Sequence, residues 1–216
     1  MERLNRATFH FNQVVEQVIL RPVAKTYRTV LPGPIRAGVR SALRNLKGPV
    51  ILANDLLQGE GARAGVTLRR FLVNSTLGLG GLFDPAARLG LAFHDEDFGQ
   101  TLAVWGVGEG AYLVLPVLGP SSLRDGVGLA GTIVMDPVFW VARETDAGEL
   151  TLARRSLDGI DDLAQNIENL DEIKTSSLDY YAALRSFYIQ NRRAEIANGD
   201  AGLPQLPDYD EEGAAP

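Results

Sequence analysis

The sequence predicts an all-α fold made of short helices broken by glycine and proline. Three observations lead there. Apolar residues recur at three- and four-residue spacing near both ends of the chain, Gly and Pro divide the stretches between them, and only residues 112–118 carry strand propensity, with Pro116 in their middle.

Leu4, Ala7, Phe11, Val14, Val15, Val18 and Ile19 share one helical stripe, so the first helix is expected to be amphipathic and to end near Arg21-Pro22. A second helical piece follows over residues 23–30. After Pro32-Gly33-Pro34, helices are expected over 35–46, 49–57 and 62–73, separated at Gly48-Pro49 and at Gly59-Glu60-Gly61. The centre reads as short helices and turns, because glycines at 78, 80, 81, 106, 108 and 110 interrupt any long period. Proline at 116 demotes residues 112–118 to an edge strand or no strand. Residues 124–142 read as two short helices meeting at Asp136-Pro137, since the residue before a proline is pushed out of the α region. Leu157, Ile160, Leu163, Ala164, Ile167 and Leu170 predict one late helix, and Leu178, Tyr181, Leu184, Tyr188, Ile189 and Ile196 another. Gly199 is expected as a C-cap that closes a domain over 1–199. Residues 200–216, acidic and proline-containing, lack the apolar content to fold.

The length of 216 residues fits one domain or two small ones. A formal charge of -6 without a basic stripe argues against nucleic-acid binding, and the lack of cysteine excludes disulfides, thiolate metal sites and a cysteine nucleophile in this sequence. No run of about 18 apolar residues offers a spanning helix, and Met1 opens a polar helical segment rather than an apolar leader. Composition shifts inside the chain. Residues 71–142 hold nine of the 48 Asp, Glu, Lys and Arg residues in a third of the length, with twelve of the 23 glycines and both tryptophans. Charge density is thus halved there. A lipid-facing insert fits this composition, with Trp105, Trp140, Phe71 and Phe83 at the membrane interface; a well-buried core is the alternative.

No cluster in the sequence demands catalysis. His94-Asp95-Glu96-Asp97 offers one imidazole and three carboxylates but none of the spacings of a zinc site, and is read as a solvated loop or helix start with Asp95 as its N-cap. Neither the Gly78-Leu79-Gly80-Gly81 run nor the glycines at 106, 108 and 110 have the Lys-Ser/Thr that a phosphate loop needs, and Ser75, Ser121 and Ser122 lack a hydrolase elbow. No catalytic residue, metal or cofactor is therefore assigned. Gly126, Gly128 and Gly131 weaken the apolar segment they occupy by up to ~1 kcal/mol each relative to alanine, which suits either a hinge or close helix packing. Arg124 and Asp125 just ahead of them are expected to form a local ion pair or cap.

Longer motifs carry a resemblance. Asn5-Arg6 with Phe9, Phe11 and Asn12, Arg21-Pro22-Val23-Ala24 with Tyr27-Arg28, the run Asn54-Asp55-Leu56-Leu57-Gln58-Gly59 and Arg70-Phe71 leading to Asn74-Ser75-Thr76-Leu77-Gly78-Leu79-Gly80-Gly81 occur in order. They continue through His94 to Leu102, Trp105-Gly106-Val107-Gly108, Gly119-Pro120, Leu123-Arg124-Asp125-Gly126 and Tyr188 to Gly199. Across residues 2 to 200 the sequence resembles the MlaA (VacJ) family of outer-membrane lipoproteins. The resemblance implies a ring-shaped helical domain in the periplasmic leaflet of the outer membrane, with a central amphipathic channel and no enzymatic activity. It implies removal of mislocalised phospholipid from the outer leaflet, delivery to a soluble periplasmic lipid carrier and association with a porin trimer. The segment around Gly126, Val127, Gly128, Leu129, Gly131, Ile133, Met135 and Phe139 then matches a hairpin that adjoins and controls the channel, which favours the hinge. The family's leader and lipidated cysteine lie upstream of what is present, so Met1 is expected to open a shortened mature domain, and Leu4 replaces a common aromatic. A soluble periplasmic lipid-binding module, a metal hydrolase built on His94 and a structural porin accessory are the rival readings.

Overall fold

The computed structural model describes residues 1–198. Within them the chain is helical apart from one hairpin: α1 (Glu2–Val15), a π-helical turn (Glu16–Leu20), α2 (Arg21–Val30), α3 (Gly33–Leu57), α4 (Gly61–Thr76), α5 (Pro85–Arg88), α6 (Phe98–Val104), β1 (Tyr112–Leu115), β2 (Gly119–Ser122), α7 (Leu123–Met135), α8 (Pro137–Glu144), α9 (Gly148–Ser176) and α10 (Tyr180–Ile196). The Gly199 cap and the tail fall outside the described residues.

Two expected breaks are not breaks. Helix α1 does not end at Arg21-Pro22 but passes through the π turn into α2, where the Arg21 amide donates to the Glu16 carbonyl. The widened turn lets the chain meet Pro22, which has no N–H to contribute, without stopping. Similarly, α3 runs through Gly48-Pro49 as one helix of 25 residues. Its packing on α4 holds it. A Cβ on Gly48 would lie 3.0 Å from Phe71 Cδ2, so glycine admits the aromatic ring against the α3 backbone. The expected break at residues 59–61 is present, as are the two helices meeting at Asp136-Pro137, bent by 58°.

The hairpin corrects the reading of residues 112–118. Tyr112–Leu115 pairs antiparallel with Gly119–Ser122, and Pro116 lies in the connecting turn rather than in a strand. The outer edge of β1 is covered by side chains instead of a third strand. Asn5 donates to the Tyr112 carbonyl and accepts from the Val114 amide, and Asn12, seven residues on, does the same for Leu115 and Val117. Residues i and i+7 share a helix face, so α1 presents two amides to one strand edge.

Among the described residues, the interior is more polar than that of an ordinary water-soluble domain. Fifteen buried residues are polar or charged and twelve are apolar, five of those twelve being alanine. Two small apolar clusters exist, Phe9 with Val114 and Tyr181, and Ala24 with Ala164 and Ile167. The rest of the interior is a hydrogen-bonded polar lattice. Meanwhile the apolar stripe of α1 and its π turn faces outward: Leu4, Phe11, Val14, Val18 and Ile19 are all exposed.

Candidate functional site

The polar lattice is densest between α3, α4 and α6. Asp55, fully buried, accepts from Thr67 Oγ1 at 2.6 Å and lies 3.0 Å from His94 Nε2, with Arg63 Nε at 3.8 Å. Glu96 is also buried and takes Arg63 at 2.6 Å and Gln58 at 2.9 Å. The His94–Asp97 segment is therefore not a solvated loop. Its cap is Asp97, which accepts from the Gln100 amide, rather than Asp95. Among the described residues no group of three or more His, Asp or Glu is placed to hold a metal. Arg70 and Asn74 donate to Asp84 at 2.7 and 2.9 Å, pinning the loop after α4. Burial pushes the Asp84 pKa up, but those two hydrogen bonds outweigh it and hold the carboxyl below its ordinary value.

Beside this lattice lie two adjacent cavities. One, of about 320 Å³, is bounded by α3, the 95–97 segment, α7 and α9; Leu43, Val50 and Ile51 give it an apolar wall, and Lys47, Asp158 and Arg154 a polar one. The other, about 350 Å³, lies between the hairpin, α7 and α10. Asp97, Leu118, Leu129 and Thr132 line both. Adjoining across these four residues, the two cavities are taken together as an amphipathic passage along α7.

The passage is fixed at the α10 end by charge. Arg192 donates to Asp97 at 2.8 and 2.7 Å and to Asp125 at 3.0 Å, while Asp125 also takes Arg124 at 3.0 Å and the Tyr188 hydroxyl at 2.5 Å. Burial raises the Asp125 pKa, yet the Arg124, Arg192 and Tyr188 hydrogen bonds together hold it far below the usual carboxylate range. Tyr188 is pushed well above its ordinary value by burial and by Asp125. Arg124 and Asp125 are thus paired as expected, but within a network that ties α7 to α6 and α10. Arg192 and Tyr188 were not legible as members of it, since they lie more than 60 residues away in sequence.

The glycines of α7 divide. A Cβ on Gly128 would lie 2.5 Å from Gly99 Cα, so that position lets α6 and α7 touch backbone to backbone, and one on Gly131 would strike the Phe98 ring, which the glycine admits against α7. Gly126 has open space around it. Leu129 lines the passage, Ile133 and Phe139 line a separate groove between α8 and α9, Met135 is half-buried at the bend, and Val127 points outward. Phe83, Trp105 and Trp140 are exposed, each indole N–H donating to a backbone carbonyl, Leu57 and Val134 respectively. Phe71 is half-buried against Gly48 instead of standing at a surface. No single described helix is long and apolar enough to cross a membrane; the bent α7–α8 pair reaches that length and composition jointly.

Comparison with known proteins gives the family. A protein described as "Intermembrane phospholipid transport system lipoprotein MlaA" from Escherichia coli (strain K12) is 34% identical over 209 residues, 95% of this chain and 80% of that protein. Its counterpart of the same description in Haemophilus influenzae is 30% identical, covering 92% of this chain and 79% of its own length. A solved structure described as "Structural basis for maintenance of bacterial outer membrane lipid asymmetry" superposes with a TM-score of 0.79 at 33% identity, over 90% of this chain and 97% of the other. The profile of the family described as MlaA lipoprotein matches residues 1–195, and the chain belongs to that family.

Proposed function

We propose that this protein moves phospholipid at the outer membrane, taking mislocalised molecules from the outer leaflet through the α7-lined passage and passing them to a soluble periplasmic lipid carrier. The observation that carries this reading is the pairing of exposed apolar side chains with an interior passage that is amphipathic, apolar on one wall and charged on the other. Leu72, Leu77, Leu82, Phe83 and Trp105 are exposed, apolar side chains that water would penalise and acyl chains would not. It favours embedding over a soluble lipid-binding module. The site is the periplasmic leaflet, with the apolar face also available to a porin trimer. That the relatives are named for intermembrane phospholipid transport supports the substrate class.

The physical task is to lower a barrier. A phosphodiester in hydrocarbon loses its solvation, and an unpaired charge there is too costly to cross unaided. Lys47, Arg154 and Thr132 along the passage replace part of that solvation, while Leu43, Val50 and Leu129 accept the acyl portion. Helix α7 is one wall, anchored at Asp125 and Gly128, and Gly126, between those anchors with open space around it, is its flexible point. Net direction comes from the carrier's higher affinity for lipid. Mass spectrometry of organic extracts from detergent-purified protein tests the reading: bound phospholipid should exceed that of an unrelated detergent-purified control and drop in a folded Leu129→Asp variant. No enrichment would remove the transport reading and leave a structural porin accessory in its place.

A further inference from the structure

The groove between α8 and α9 lies beside the passage and meets it at one residue. It measures about 540 Å³, within the ~300–1,000 Å³ of small-molecule sites. Ile133, Phe139, Ala142 and Leu152 give it an apolar wall. Arg155 lines both this groove and the cavity bounded by α3. Other interior arginines reach a carboxylate: Arg40 that of Asp161, Arg63 that of Glu96, Arg70 that of Asp84, Arg124 that of Asp125, Arg154 that of Asp136 and Arg192 that of Asp97. Arg155 has no hydrogen bond or ion pair among the described residues; its Nε is shut off from solvent without a partner, as are those of Arg63, Arg154 and Arg192, but each of those three still reaches a carboxylate through another nitrogen. Burial pushes its pKa down, with Asp158 only partly offsetting it.

A guanidinium held half out of water with its donor fork unused is stabilised by an anion with paired oxygens. The apolar wall beginning beside it selects an anion attached to hydrocarbon over a free one. We infer that this groove is a lipid-binding subsite, in which Arg155 takes the phosphodiester of a phospholipid and the Ile133–Phe139–Leu152 wall takes an acyl chain. The inference rests on the phospholipid reading above and adds a holding position beside the passage. Because Arg155 touches both spaces, a headgroup on it sits at the entry to the α3-side cavity while its chain remains under α8.

Photo-crosslinking tests this. Benzoylphenylalanine is placed at Leu152 in the groove or at Leu129 in the passage, in micelles doped with phosphatidylethanolamine or with diacylglycerol of the same chains. Phosphatidylethanolamine is expected to label both positions, and Arg155→Gln to lower labelling at Leu152 about tenfold, the loss of one charge-assisted contact. Labelling at Leu129, and the weaker diacylglycerol labelling at Leu152, should be unchanged, and Arg155→Lys should restore part of the loss. Labelling at Leu129 but not at Leu152, or at Leu152 with no response to Arg155→Gln, overturns the subsite and leaves the passage standing. Complete competition by inorganic phosphate, with no lipid adduct at Leu152, would make Arg155 a free-anion site and also overturn it. No adduct at either position would sink the transport reading together with the subsite.

Discussion

The α3–α4–α6 interior and the α7–α8 arm solve opposite problems. In the first, Asp55, Glu96, Arg70, Asn54 and Thr101 are buried and matched to partners, so the chain holds together by satisfied polar groups with little apolar core. In the second, Val127, Val134, Trp140 and Val141 are exposed, and what holds the arm is backbone contact at Gly128 and the charge network at Asp125. On the phospholipid reading proposed above, the difference marks where lipid takes the place of water. Hydrocarbon outside makes exposed leucine neutral and makes internal hydrogen bonds the source of specificity, as for a protein bathed in lipid.

Substitutions that exchange the roles of the two regions should rank accordingly. Asp55→Ala leaves His94, Thr67 and Arg63 facing an uncompensated buried site, and should cost about 3–5 kcal/mol in denaturant unfolding measured in detergent. A smaller loss than that of any exterior leucine variant would break the comparison. Asp125→Asn should cost about 2–3 kcal/mol through weakened bonds to Arg192 and Tyr188. Because the folded pKa of Asp125 lies below its ordinary 3.8, its stabilisation is full above that value and is lost as pH falls further. Acid unfolding of the Asn variant should therefore show a shallower dependence below pH ~4, and an unchanged acid limb would contradict the network's role.

Gly128→Leu should lose about 1–3 kcal/mol by overpacking on Gly99, whereas Gly126→Leu should keep its melting temperature and slow lipid passage. Equal melting losses at both positions would remove the distinction between packing glycine and flexible point. Smallest in stability is Leu77→Ser on the outer face, expected to change detergent unfolding by less than about 0.5 kcal/mol. Its vesicle partitioning should nonetheless fall about tenfold, the worth of one buried leucine.

Much of this fold was legible because helices announce themselves by period and their ends by glycine and proline. The bend at Asp136-Pro137 and the separation of α3 from α4 were read correctly for that reason. Gly48-Pro49 misled because its glycine serves the neighbouring Phe71, a contact that local sequence does not display. The α1 stripe of Leu4, Phe11 and Val18 showed an amphipathic helix but not which face was inside, since period alone carries no sign. Among site residues, the low charge of 71–142 drew attention to a segment in which Leu129 and Ile133 line cavities. Arg155, Arg192 and Tyr188 were hidden because they come from the ordinary-looking charged helices and matter only through long-range placement. The asparagines at 5 and 12 belonged to the motifs that carried the resemblance; their seven-residue spacing was the available signal for a shared task.

The most direct test of the passage is to block it where its two cavities meet. Vesicles with fluorescent phospholipid confined to one leaflet, reconstituted with the protein, report translocation by quencher accessibility. The wild-type chain should equilibrate the label, and a Leu118→Trp, Leu129→Trp variant that binds the vesicles and melts normally should lose at least about tenfold in rate, equivalent to ~1.4 kcal/mol of barrier. Equal rates from the folded, membrane-bound variant and the wild type would contradict a lipid route through this interior.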